Sequence, residues 1–231
     1  MMEISKRLQM IAKCVPENTQ IVADIGTDHG YIPIYLINNK RAKYCIACDI
    51  NPKPLSNAKK NIDYYQMHDQ IETRLGSGLS RLAVDEPNVI IIAGMGGMLI
   101  TDILRDDLAV VKGVGLLILQ PQLDVAPLRK YLHSIEFKII DEKMLYEDGK
   151  YYTIIIAKPG RESAYTEKDY LFGKKLIGTK NRVLKDFISY KMDSVNLLIT
   201  ELSEKHTNQA QKRLQEIKRE KVVYAEVLEC L

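Results

Sequence analysis

Two carboxylates, a histidine and two glycines crowd into the run Asp24-Ile25-Gly26-Thr27-Asp28-His29-Gly30-Tyr31, at the end of the short β-rich segment 21–25. A strand that ends near an acidic residue, breaks at glycine and resumes as helix makes the cofactor-binding corner of a doubly wound sheet. Side chains inside such a turn face the ligand crevice, so Asp28 and His29 are candidates for chemistry as well as binding. The glycine spacing narrows the ligand. A dinucleotide fingerprint carries glycine at its first, third and sixth positions, and here Asp28 and Tyr31 occupy the third and sixth. A carboxylate at the third position meets the pyrophosphate where bare backbone should approach it, which disfavours NAD. S-adenosylmethionine (SAM) has no phosphate. Its sulfonium and ammonium are cationic, so Asp24 and Asp28 suit it.

Further positions extend this set. Asp49 ends the second β run and can accept both ribose hydroxyls, a role that serves SAM and NAD alike. Ile50 follows it, and Gly76-Ser77-Gly78-Leu79 forms a loop able to cover an adenine, or a mere turn. The fourth β run ends in Ala93-Gly94-Met95-Gly96-Gly97. Methyltransferases acting on exocyclic amines often place Asn or Asp, two prolines and an aromatic there. Glycines let a flat base approach the backbone but supply no polar side chain. Asp28, His29, Tyr31 and Gln120 are then the nearest polar candidates. The expected cofactor contacts are Asp24, Gly26, Asp28, Gly30, Asp49, Ile50, Gly76, Ser77, Gly78, Ala93, Gly94, Met95 and Gly96. Cys45 and Cys48 lie three apart in an apolar run and point to opposite strand faces, so they read as buried packing and no metal site is expected.

The elements that must position these residues alternate. Helices are expected over 4–15, 31–38, 54–65, 98–104 and 123–135, and strands over 21–25, 43–50, 71–75, 88–93, 115–119, 137–145 and 151–158. Glu147-Asp148-Gly149-Lys150 is a hairpin turn. Five β–α units closed by an antiparallel pair form the seven-stranded α/β arrangement, Rossmann-like, of many class I SAM-dependent methyltransferases. Pro159-Gly160 marks a boundary between a domain 1–160 and a helical, charged domain 161–231. There, Leu184, Ile188, Val195, Leu198 and Leu202, then Leu214, Ile217, Tyr224 and Leu228, follow helical spacing around a polar turn at 203–209, which reads as a helical hairpin.

Charge separates the two parts. The chain carries a net +3, and within residues 168–191 seven Lys and Arg face two Asp and Glu. That local excess is a candidate phosphate-contacting surface, with a solvated helix face as the competing reading. No signal-peptide core or apolar run of membrane-spanning length is present in the sequence, so a cytoplasmic chain without membrane contact is expected.

The run from Asp24 to Pro33, together with Ala93-Gly94-Met95-Gly96-Gly97, Leu119-Gln120-Pro121, Glu147-Asp148-Gly149-Lys150-Tyr151-Tyr152 and the early Ser5-Lys6-Arg7-Leu8, resembles the motifs of the TrmK family of bacterial tRNA (adenine(22)-N1)-methyltransferases. The resemblance covers essentially the whole chain. It implies a Rossmann-like SAM domain, a coiled-coil-like C-terminal hairpin, SAM as cofactor, tRNA as substrate and partner, and no obligate protein partner. Gly30 stands where Ala is usual, and Ser77 where an acidic residue is common. Asp28 is the expected stabiliser of charge on the methylated base, with His29 and Tyr31 positioning it. Arg7, Lys174, Lys175, Lys180, Arg182 and Lys185 are the expected RNA contacts, and for Arg7 two placements stay open, reaching the site from the leading helix or lying on the surface. Two other classes remain: a SAM methyltransferase for a small molecule or protein, and a non-enzymatic SAM- or nucleotide-sensing regulator.

Overall fold

A computed structural model describes residues 4–205 and 207–231. Its central sheet follows the order β3-β2-β1-β4-β5-β7-β6, with β1 (Thr19–Ile25), β2 (Ala42–Asp49), β3 (Ile71–Leu75), β4 (Val89–Met95), β5 (Leu116–Pro121), β6 (Phe137–Glu147) and β7 (Lys150–Pro159). The first five run parallel to one another, while β7 pairs antiparallel with both β5 and β6. Parallel strands covered by helices on both faces must be apolar throughout, and Val89–Ile92 and Leu117–Leu119 are accordingly buried along their length. The chain moves outward from β1 through β2 to β3, then returns to start β4 on the other side of β1. That reversal opens a crevice beyond the carboxyl ends of β1 and β4, where ligands of open α/β sheets bind.

The helices of this part are α1 (Lys6–Lys13), α2 (Tyr31–Asn38), α3 (Pro52–Tyr64), α4 (Gly97–Asp106), α5 (Leu108–Lys112) and α6 (Val125–Ser134). Three departures from the sequence expectation have plain physical reasons. Helix α3 begins at Pro52 because the first helical positions need no intrahelical N–H. Helix α4 begins on Gly97, since a Cβ there would run into the Asp124 carbonyl. The short α5 was hidden by its two valines, which favour strands. The hairpin between β6 and β7 turns on Asp148 and Gly149, whose φ values of 49° and 78° are the two positive angles a tight right-twisted hairpin needs.

Residues Met1–Ser163 and Ala164–Leu231 form two compact units. The second holds α7 (Glu167–Phe172), α8 (Lys174–Gly178), α9 (Arg182–Ser203) and α10 (Asn208–Cys230). Thr166 and Asp169 build a capping box at α7, and Asn181 and Thr207 cap α9 and α10. Helices α9 and α10 pack on each other across a short connection, of which His206 lies outside the described residues. Leu184, Ile188, Val195 and Ile217 are buried as their spacing predicts. Leu198 is 42% exposed instead, and Val227, not Leu228, is the buried residue near the end of α10. No helix among the described residues is long and apolar enough to cross a membrane.

Candidate active site

Glycine geometry shapes the corner after β1. Gly26 has φ 73°, and the N–H groups of Gly26 and Thr27 both donate to the Cys48 carbonyl at 2.9 Å, which stitches the turn to β2. A Cβ on Gly26 would collide with the Met95 methyl. Asp28 takes φ 53°, a left-handed conformation that Asp tolerates better than most residues, and its N–H donates to Asp49 Oδ2 at 3.2 Å. Gly30 starts α2 at φ 72° with the Ala58 side chain close against it. The result is a tight backbone with its side chains turned outward. Asp28 and His29 are 68% and 42% exposed, with His29 Nε2 3.6 Å from Asp28 Oδ1. The His29 and Tyr31 rings stack at 5.3 Å with 18° between their planes.

On the β2 and β3 side lies a cavity of about 270 Å³, lined among others by Asp49, Ile50, Asn51, Gly76, Ser77, Gly78 and Met95. The buried Asp49 carboxylate is fixed by two backbone donors, Asn51 N–H on Oδ1 at 2.9 Å and Asp28 N–H on Oδ2. Two lone-pair sites are left over for hydroxyl donors. The loop after β3 is braced from beneath by Arg74. Its guanidinium forks onto Glu72 and Glu86 and also reaches the Arg81 carbonyl at 2.8 Å. The same guanidinium holds the Glu72 and Glu86 carboxyls below the usual range. Arg81 closes the loop by donating to the Leu75 carbonyl at 3.0 Å. Ser77 is exposed at the tip.

On the other side of Met95 is a larger cleft of about 420 Å³, lined by Arg7, Leu8, Asp24, Gly26, Thr27, Asp28, His29, Tyr31, Ile32, Ala93, Gly94, Met95 and Gln122. Gly26 and Met95 border both spaces. Asp24 is buried at its inner end, accepts a hydrogen bond from Thr27 Oγ1 at 2.7 Å, and has its carboxyl pushed up to about 7 by desolvation, with Asp49 adding to the rise. The loops after β4 and β5 are zipped together by Gly97 N–H to the Leu123 carbonyl and Gln122 N–H to the Met95 carbonyl, both 2.8 Å. This zip brings Gln122 to the cleft.

Gln120, expected to serve the base, does not reach it. Its side chain is fully buried, accepting from Arg7 Nη1 at 2.8 Å and donating to the Pro121 carbonyl at 3.0 Å. The residue the sequence reading missed is Gln122, whose available signal was its place just beyond the carboxyl end of β5. Arg7, read as an RNA contact, sits in the cleft wall with its guanidinium 5.5 Å from the Tyr152 ring centre. Gly30 and Gly96 are not among the residues lining either space. Cys45 and Cys48 are both buried free thiols, with Cys48 pushed up to about 12 by burial.

In the second unit, Lys180, Arg182 and Lys185 are exposed, whereas Lys174 and Lys175 are half-buried. The Lys174 ammonium lies 5.0 Å from the Tyr165 ring centre. Helix α9 starts with Arg182 and has no acidic residue in its first turn, so its positive pole faces cations. That arrangement is unfavourable until an anion joins it.

The residues of the two spaces fit SAM: the Asp24 and Asp28 carboxylates suit cations, Asp49 keeps two lone-pair sites open for hydroxyls, and the glycine corner leaves room for backbone approach. Comparisons with known proteins agree. Residues 4–155 match the family described as a methyltransferase domain. The tRNA (adenine(22)-N(1))-methyltransferase of Bacillus subtilis is 34% identical over 222 residues, 94% of this chain and 93% of the relative. The crystal structure of the B. subtilis M1A22 tRNA methyltransferase TrmK superposes with a TM-score of 0.86 at 31% identity, covering 99% and 100% of the two chains. The structure of M. capricolum TrmK in complex with S-adenosyl-homocysteine gives 0.85 at 29% identity, covering 98% of each.

Proposed function

The chain belongs to the tRNA (adenine(22)-N1)-methyltransferase family, TrmK, and on that premise we propose that it transfers a methyl group from SAM to N1 of adenine 22 in tRNA. The observation that carries this reading is the pair of adjoining spaces that meet at Gly26 and Met95. One presents a fixed ribose acceptor and a glycine loop, and the other presents exposed Asp28, His29 and Tyr31.

SAM supplies an electrophilic methyl on a sulfonium. The chain's own residues bind and orient. Asp49 accepts the ribose hydroxyls, Gly76–Gly78 covers the adenine, and Asp24 faces the ammonium end. Adenine N1 already carries a lone pair at neutral pH, so no base has to create the nucleophile and alignment dominates. The stacked His29–Tyr31 pair offers a flat wall for a base taken out of its stack. Methylation leaves the ring cationic, and the Asp28 carboxylate stabilises that charge and accepts from the exocyclic amine. Gly94, which lines the cleft, leaves space for the base where a side chain would intrude. Lys180, Arg182 and Lys185, with Lys174 and Lys175, contact the tRNA body through phosphates. The reaction belongs in the cytoplasm, where tRNA resides.

Incubating the protein with methyl-labelled SAM and total tRNA, then identifying the labelled nucleoside, tests the reading. Label in 1-methyladenosine at position 22 is expected. Label in another nucleoside, or in a small molecule or protein but not tRNA, refutes it.

A further inference from the structure

The first turn of α1 is held by a residue 140 positions away. Glu147, at the last position of β6, accepts from the Lys6 N–H at 2.7 Å with one carboxylate oxygen and from the Arg7 N–H at 3.0 Å with the other. Ser5 Oγ accepts from the Leu8 N–H at 3.2 Å, so each of the first three helical N–H groups has a partner. The hairpin contributes a second contact through Tyr152, whose ring lies 5.5 Å from the Arg7 guanidinium. From the other side, the buried Gln120 Oε1 takes Arg7 Nη1 at 2.8 Å. Arg7 is thus gripped at backbone, ring face and guanidinium edge.

Among the described residues lining the cleft, Arg7 is the one permanent cation, and Asp24 lines the same space. An α-amino acid group carries an ammonium and a carboxylate, and this cleft offers a partner for each. Arg7 is anchored to a fully buried residue, with Nη1 3.9 Å from where a Cβ of Gly94 would stand, so its guanidinium edge lies at the cleft floor. A small carboxylate reaches such a floor, whereas an RNA phosphate approaches from outside. We propose that Glu147 is a positioning residue that acts through α1 to hold Arg7 as the seat for the carboxylate of the cofactor's amino-acid end. In this arrangement a sheet-edge hairpin distant in sequence is coupled to the site. It rests on reading the cleft as a SAM site.

The test compares two ligands by calorimetry without tRNA: S-adenosylhomocysteine, which has the amino-acid end, and 5′-methylthioadenosine, which lacks it. Arg7→Ala should weaken S-adenosylhomocysteine by about tenfold or more and leave 5′-methylthioadenosine unchanged, as removal of a charge-assisted hydrogen bond predicts. Glu147→Ala should weaken the same ligand several-fold, Glu147→Gln less because its amide oxygen still accepts, and the double variant no more than Arg7→Ala. Equal losses for both ligands, additive losses in the double variant, or unchanged S-adenosylhomocysteine binding with weaker tRNA binding would each overturn the relay. A wild-type protein that binds neither ligand removes the SAM reading itself.

Discussion

The two spaces that meet at Met95 are built on opposite plans. The smaller one holds Asp49, fixed by two backbone N–H groups, beside a glycine loop that Arg74 braces from beneath. The larger one presents Asp28, His29 and Tyr31, all at least partly exposed, with Asp28 set apart by its left-handed backbone. A small cofactor brings little binding energy of its own, so its pocket must be ordered beforehand. A base that arrives within a large RNA brings binding energy from contacts elsewhere, and its pocket can leave side chains free to adjust. Three aspartates near one corner therefore have three environments: tied, buried and exposed.

The largest effect should fall on the exposed aspartate. Asp28→Asn keeps the shape of the turn but removes the charge that the proposed mechanism sets against a cationic product. Its kcat is expected to drop about 10²-fold, the scale set by loss of one electrostatic stabiliser. The dissociation constant for S-adenosylhomocysteine should stay near wild type. A variant that turns over normally, or that loses cofactor affinity in step with kcat, breaks the division between the two spaces.

Asp49→Asn probes the other half. An amide offers one acceptor oxygen, and its NH₂ would face either the Asn51 or the Asp28 N–H, donor against donor. Binding of S-adenosylhomocysteine should weaken by roughly tenfold to a hundredfold, as expected when buried donors lose their partner. At saturating SAM, kcat should recover. Loss of kcat that saturation does not restore would mean the tied aspartate also serves the chemistry.

Both halves of the corner were legible in the sequence to the extent that backbone chemistry wrote them there. Gly26, with its positive φ, and Asp49 at a strand end are local requirements, and local requirements leave local patterns. The hairpin turn at Asp148 and Gly149 was readable for the same reason. Contacts across long stretches of chain left no such mark. Nothing near Arg7 announces Glu147, Tyr152 or Gln120, so the sequence left this side chain open between the site and the surface, and the fold decides for the cleft wall. Gln120 and Gln122 differ by two positions, and only the zip between the loops after β4 and β5 decides which one meets the cleft. Gly97 reads as loop until the Leu123 and Asp124 carbonyls explain why a helix must start without a Cβ.

The second unit extends the contrast to charged residues that line neither space. Replacing Lys180, Arg182 and Lys185 together with Gln should leave kcat intact and weaken tRNA binding most at low salt. The slope of log affinity against log salt should become shallower by about 0.7–0.9 for each phosphate no longer neutralised. An unchanged slope would return these residues to the status of a solvated helix face.

The buried Asp24 gives the finest test, because its two states separate folding from binding. In the folded chain its carboxyl holds a proton up to about pH 7, against 3.8 when exposed. Between those values the folded state binds the extra proton, so this residue's contribution makes stability fall as pH rises through that window and level off above it. A cationic ammonium beside Asp24 favours the ionised form instead. Cofactor binding should then expel the proton, and affinity should rise with pH, by at most about one decade per unit, until it levels off near pH 7. Asp24→Asn should remove both trends. Subtracting its thermal midpoints and S-adenosylhomocysteine affinities from those of wild type, from about pH 5 to 8, isolates Asp24 from every other titrating group. Difference curves flat in both measurements would place Asp24 as a structural partner of Thr27 and leave the ammonium to another residue. A slope in stability alone would mean that the buried carboxyl never meets the cofactor.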